Sequence, residues 1–162
     1  MATFTWKFGS VPDDMSVTQV YGVIFSKDGR VLLEGEESCG KIKYSLVGGH
    51  PEKYDKNYEE TLRREAREEV NIDISAPCFI GYQEVDEENG RAPYAQVRMS
   101  AFIVSVGEIR PDIDNGKTYL RLLAPPMRAA ELLGWGDIAE AQITAAINAL
   151  NICTISDKEE YI

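Results

Sequence analysis

The chain has little cysteine and almost no histidine: three cysteines and one histidine, His50, in 162 residues. Cys39, Cys78 and Cys153 are scattered and odd in number. They form neither a disulfide framework nor a metal-ligand pair, and free thiols in a reducing cytosol are expected. No stretch approaches the roughly 20 apolar residues that span a bilayer. The opening residues, Met1 to Lys7, carry no apolar run of the kind a signal peptide needs. A cytoplasmic location and no membrane partner are therefore expected. Basic charge is also scarce, with 17 Lys and Arg against 27 Asp and Glu and a formal net charge of −10. Such a surface repels nucleic acid and anionic headgroups, so no nucleic-acid partner is expected. Repeats, low-complexity segments and linkers are absent. The length fits one domain over residues 1–162, with a polar tail, 156–162, expected to be loose.

What is present is ordinary for a globular protein, with 44% apolar and 27% charged residues. Val17 to Phe25 is rich in β-branched and aromatic residues and predicts a strand. A turn at Lys27-Asp28-Gly29-Arg30 leads to a second strand from Val31, which predicts a hairpin. Glu34 to Lys41 reads as a polar loop, and Lys43 to Val47 as a short strand running into Gly48-Gly49. Cys78 to Val85 and Tyr94 to Val106 read as long strands around Asn89-Gly90, a hairpin signal. In the second of these Val97, Met99, Ala101 and Ile103 form one apolar face. The other face is polar through Gln96, Arg98 and Ser100, then apolar from Phe102 to Val106, as if that end were buried on both sides. Tyr119 to Leu123 suggests a further strand. Met127 to Leu133 predicts a short helix, and Asp137 with Glu140 caps a longer one to about Leu150. Strands, a helix, more strands and two helices predict an α/β domain with sheet layers covered by helices.

The clearest helix begins at Asn57, which with Glu60 resembles a capping box. Tyr58, Leu62, Ala66 and Val70 form an apolar stripe, and Asn71 suits a left-handed stop. With Tyr58 at zero, Glu68, Glu65 and Glu69 fall at about 280°, 340° and 20°. Three carboxylates thus share one arc at the edge of the stripe. Like charges at i+3 and i+4 cost a few tenths of a kcal/mol per pair, a penalty a divalent cation removes. Clustered hard oxygens suit Mg²⁺ or Mn²⁺. An ordinary solvated face balanced by Arg63, Arg64 and Arg67 is the alternative. The glycine pair upstream, whose backbone can approach a metal or phosphate closely, favours the site.

The stretch Gly49 to Ile72 resembles the box of the Nudix hydrolase family, MutT-like enzymes whose signature is written GX5EX7REUXEEXGU, with U aliphatic. Gly49 matches the first glycine, Arg64-Glu65 the RE pair, Ala66 the U, Glu68-Glu69 the EE pair and Ile72 the last U. Asn71 replaces the final glycine. Counting from Gly49 puts Asp55 at the first glutamate, with one extra residue before Arg64. Counting back from Arg64 puts Lys56 there. The resemblance implies the Nudix fold, mixed β-sheets sandwiched between helices (α/β/α). It implies a metal-dependent pyrophosphohydrolase using Mg²⁺ or Mn²⁺ to activate water against a diphosphate phosphorus. Glu65, Glu68, Glu69 and the carbonyl of Gly49 would hold the metal, Glu65 alternatively being the general base. Arg64 would pair with a box glutamate and fix its rotamer.

Outside the box, His50, Gln96 and Arg98 are candidate substrate-binding residues. Glu108, Asp112 and Asp114 are candidate bases on a later loop. Tyr44, Tyr94, Phe102 and Trp135 could stack on a nucleobase. The expected partner is a small nucleotide-like molecule: ADP-ribose, a nucleotide sugar or a (d)NTP. A non-catalytic nucleotide sensor of the same fold, and a diphosphate isomerase, are rival readings. Homodimers are common in the family, and the Val97 to Val106 strand or the C-terminal helix could supply a surface for one.

Overall fold

The computed structural model describes all 162 residues. Ten strands form one mixed sheet. In chain order the elements are β1 (Thr3–Lys7), β2 (Val17–Phe25), β3 (Val31–Ser38), β4 (Lys41–Ser45), β5 (Val47–Gly49), α1 (Tyr58–Val70), β6 (Ile72–Ile74), β7 (Cys78–Asp86), β8 (Tyr94–Val106), β9 (Leu120–Ala124), α2 (Pro126–Leu133), α3 (Asp137–Ala149) and β10 (Glu160–Tyr161). The main strand order is β1-β7-β8-β2-β3-β9-β10, with β4 on β3, β5 on β2 and β6 on β8. Only β2 and β8 run parallel. The sheet forks around β2, which pairs with β5 at Val20–Gly22 but meets β3 only at Phe25 opposite Val31. The expected β2–β3 hairpin is therefore a turn with little ladder, because β5 and β8 take most of β2.

Both faces of the sheet are covered, which the alternation of side chains shows directly. Val20, Ile24, Leu32, Val97, Met99 and Ala101 pack with Leu62, Ala66 and Val70 of α1. Val23, Phe25, Val31, Leu33 and Leu122 point the other way, onto Ala129, Ala130 and Leu133 of α2 and Ala139, Ile143 and Ala146 of α3. This is the expected α/β/α sandwich. Tyr58 departs from the expected apolar stripe: it is 39% exposed, at the first helical position, and Thr61 is buried in its place.

Several local expectations change. Glu34 to Lys41 is not a loop but the outer half of β3 and its hairpin into β4, turning through Cys39 and Gly40 at φ of 51° and 74°. Two consecutive positive φ values are the type I′ signature, here without the usual Asn-Gly sequence. The cap of α3 is Gly136, with no side-chain bond, and Asp137 is already helical. On β8 Val97, Met99 and Ala101 are buried as expected, but on the other face the buried end is not the apolar one. Polar Arg98 and Ser100 are buried, while Val104 and Val106 are 65% and 46% exposed. Gln142 of α3 covers and bonds Arg98, whereas the far end of β8 pairs only with the three residues of β6. The tail is docked rather than loose. Glu160 and Tyr161 pair with Leu123 and Leu122, Arg30 forms an ion pair with Glu160 at 2.8 Å, and the Ser156 amide donates to the Asp28 carbonyl. Short strands β1 and β6 were not legible at all.

Candidate functional site

The site is built where β5 meets α1. Gly48 and Gly49 pair with Tyr21 and Val20 of β2. A side chain at Gly48 would drive its β-carbon to 2.1 Å from the Val20 carbonyl oxygen. One at Gly49 would lie 2.6 Å from the carboxyl group of Glu65. Both glycines are there because the backbone must pass against another strand and against a carboxylate.

Helix α1 supplies that carboxylate and two more. Its start is fixed by Asn57, whose side chain accepts from the Glu60 amide at 2.9 Å, and its end by Asn71 at φ 50°. Between these ends the buried stripe of Leu62, Ala66 and Val70 sets the rotation of the helix. Glu65 and Glu69 are thereby turned toward β5, and the Gly48 amide donates to Glu69 Oε2 at 3.2 Å.

Arg64 ties the site to the preceding loop. Its Nε and Nη2 donate to the two oxygens of Asp55 at 3.1 and 3.0 Å, and Nη2 also donates to the His50 carbonyl at 2.8 Å. Nη1 donates to Glu65 Oε1 at 2.8 Å and to Glu68 Oε2 at 2.9 Å. All five guanidinium hydrogens find acceptors. Asp55 in turn accepts from the Glu52 amide and the Thr61 hydroxyl. Of the two residues competing for the first-glutamate position, Asp55 is thus the ion-pair partner of Arg64. Lys56 is exposed and faces Glu60 at 3.9 Å. The Arg64 bonds hold the Asp55 carboxyl below its ordinary range.

The other carboxyls are shifted the opposite way. Burial is the main cause for Glu65, Glu68 and Glu69, opposed at Glu65 and Glu68 by Arg64. For Glu69 burial is reinforced by the carboxyl of Glu34, a β3 residue only 8% exposed. Glu34, placed in the presumed polar loop, escaped the sequence reading. The signal available was a lone acid directly following the apolar run Val31-Leu32-Leu33. Asp112, among the candidate bases, is 5% exposed and close enough to raise Glu65, Glu68 and Glu34. Asp114 acts on Glu68, while Glu108 is exposed and offers only its carbonyl, to Asn71.

A cavity of about 330 Å³ opens beside this cluster, with Gly48, Glu34 and Glu69 sharing its lining with Tyr21, Arg98 and Trp135. Arg98 is 1% exposed and lies over the rings of Tyr21 and Trp135, 4.9 and 5.6 Å from their centroids. Its Nε donates to Gln142, which donates to Gln83, which donates to Gln96, which donates to Gln19. No carboxylate pairs with it, and burial lowers its pKa to about 10, which leaves it charged at neutral pH. Of the expected substrate-binding residues, Gln96 and Arg98 line this cavity and the His50 ring does not, its Nδ1 lying 2.7 Å from the Thr18 carbonyl. Of the four candidate stacking aromatics only Trp135 lines it.

The donor set suits a hard divalent cation: clustered carboxylates whose charged forms are destabilised by burial, and a glycine that makes room for one of them. As they stand, no three acidic side chains converge on a common point. Arg64 Nη1 engages one oxygen each of Glu65 and Glu68.

The NUDIX domain family model matches residues 15–144, and the chain belongs to the Nudix hydrolase family, enzymes acting on pyrophosphate bonds. No protein of curated function matches it in sequence. Its fold is similar to that of a NUDIX hydrolase from Nitrosomonas europaea, 20% identical, covering 88% of this chain and 98% of that one at a TM-score of 0.59. It is also similar to the dihydroneopterin triphosphate pyrophosphohydrolase of E. coli, 17% identical, over 82% of this chain and 99% of that one at 0.57. A pyrophosphohydrolase of Bacillus subtilis is 20% identical over 66% of this chain and 63% of its own, at 0.54. No helix is long and apolar enough to cross a membrane.

Proposed function

We propose that this protein hydrolyses the diphosphate linkage of a small nucleoside-diphosphate derivative (ADP-ribose, a nucleotide sugar or a (d)NTP) with Mg²⁺ or Mn²⁺. One observation carries the reading: a single cavity has a box carboxylate, Glu69, and an aromatic-backed guanidinium, Arg98, in its lining. A diphosphate and an attached nucleoside need those two environments side by side.

Glu65, Glu68, Glu69 and the Gly49 carbonyl are the groups that would hold the metal. When bound, the cation supplies charge neutralisation for the transferring phosphoryl group and acidifies water. Arg64 keeps Glu65 and Glu68 in fixed rotamers and is itself fixed by Asp55, a positioning role. As the alternative to holding the metal, Glu65, whose burial raises its proton affinity, would accept a proton from the attacking water. Arg98 and Trp135 offer a cationic and an aromatic surface to the nucleoside, with Gln96 adding an amide.

The test is a phosphate-release screen with ADP-ribose, nucleotide sugars, dinucleoside polyphosphates and (d)NTPs, each with Mg²⁺ or Mn²⁺ and a coupling phosphatase. Metal-dependent release that disappears in Glu68→Gln is expected. Metal-dependent nucleotide binding with no release from any substrate would sink the proposal and leave a sensor.

A further inference from the structure

Glu34 lies outside the box and nothing in the Nudix signature requires it. It sits on β3 directly after the core residues Leu32 and Leu33, opposite Ser45 of β4 and Arg121 of β9. An acid at 8% exposure needs partners, and Glu34 has half of them. Oε1 accepts from the Ser45 hydroxyl at 2.9 Å. Oε2 is sealed from solvent and meets no N–H or O–H donor apart from the facing carboxyl of Glu69. Arg121, its neighbour in register, is spent on the carbonyls of Val70, Gly107 and Ile162. No lysine or arginine pairs with Glu34 or with Glu69, whose carboxyl lies against it. A buried carboxyl and a half-buried one therefore face one another beside a cavity that both line, with no counter-ion. Buried charges persist when they are paired or coordinate metals. Mg²⁺-type sites commonly use one or two carboxylates, keeping the remaining positions for water and substrate phosphate.

We propose that Glu34 is a metal ligand supplied by β3: its free oxygen and the carboxyl of Glu69 together hold a divalent cation on the cavity side of the site. The inference rests on the metal-dependent reading above and extends it beyond helix α1. The competing account is a structural acid pair that holds one proton between its members and takes no metal.

The experiment is Mn²⁺ titration of the purified full-length protein without substrate, with free Mn²⁺ counted by its EPR signal. Wild type, Glu34→Gln, Glu34→Asp and Glu68→Gln are compared, and folding is checked by circular dichroism and melting temperature. Glu34→Gln keeps the shape and should weaken Mn²⁺ binding at least about tenfold, or abolish one equivalent, because even outer partners of a ligand are worth that much. Glu34→Asp, which keeps the charge but withdraws it, should give a smaller loss and serves if the amide variant does not fold. Isotherms for the folded Glu34 variants that superpose on wild type, while Glu68→Gln weakens binding, would overturn the role of Glu34 alone. Absence of Mn²⁺ binding by wild type would overturn both this role and the metal-dependent reading.

Discussion

Two arginines, a half-buried one on one face of the sheet and a fully buried one on the other, meet opposite fates. Arg64, on the α1 face, is held by three carboxylates and a carbonyl, and its ionised state is strongly favoured. Arg98, under α3, is more deeply buried, yet has only amides, carbonyls and aromatic rings around it. A guanidinium saturated by fixed anions has nothing left to offer a ligand. One that is desolvated, flanked by rings and short of a counter-ion keeps its charge available. The first braces the acidic cluster; the second is the group proposed to meet the nucleoside.

The contrast can be broken by substitution, beginning with the group that Arg64 serves. Glu68→Gln should lower kcat on the order of 10³-fold with the melting temperature nearly unchanged, since metal-borne charge stabilisation is worth several kcal/mol of barrier. Steady-state kinetics beside a thermal scan reads this out, and a variant within tenfold of wild type would refute the assignment. Arg64→Met leaves Asp55, whose side chain is 5% exposed, without its cation. The expected cost is about 3 kcal/mol or more, because removing one partner strands the other charge. Chemical denaturation tests it, and a loss under 1 kcal/mol would mean the network is solvated.

Arg98→Met should behave differently, because it strands no charge. Stability should fall by only about 1 kcal/mol, for the Gln142 oxygen left without its donor. KM for the nucleotide substrate should rise about tenfold or more while kcat changes less, as expected for uniform binding. A fall in kcat with KM unmoved would assign Arg98 to the chemistry instead.

The smallest effect is on pH dependence. The ordinary carboxyl value is 4.5, and burial raises Glu69 well above it. A group with a raised folded pKa holds protons more tightly when folded. Its stabilisation is complete below 4.5 and is lost as pH climbs toward the folded value. Without metal, wild type should therefore lose melting temperature relative to Glu69→Gln as pH rises above about 4.5. Parallel curves would show that Glu69 is not perturbed.

Much of this was legible because it is local. Asn57, Glu60 and Asn71 cap α1 through bonds spanning a few residues, and the Leu62-Ala66-Val70 stripe orients it, so the arc of Glu65, Glu68 and Glu69 follows from helical geometry. The bounds of β8 follow from its own alternation. What failed was non-local. Gln96, Arg98 and Ser100 read as a polar face, but the chain cannot announce that Gln142, 44 residues beyond Arg98, will close over it. Val104 and Val106 read as buried for the same reason. The tail read as loose because Ser156 to Ile162 has no packing pattern of its own; β9 and Arg30 hold it.

The sequence by itself determined the acidic helix and the box from Gly49 to Ile72 that carries the family resemblance, since both depend on spacing along a short stretch of chain. Only the tertiary structure decided which charges are paired and which are stranded. Asp55 completes Arg64 from a loop, Glu34 meets Glu69 of α1 from strand β3, and Arg98 is buried without an anion. Burial and pairing are properties of surfaces brought together across the sheet, and it is burial that turns an ordinary charge into one that must find a partner.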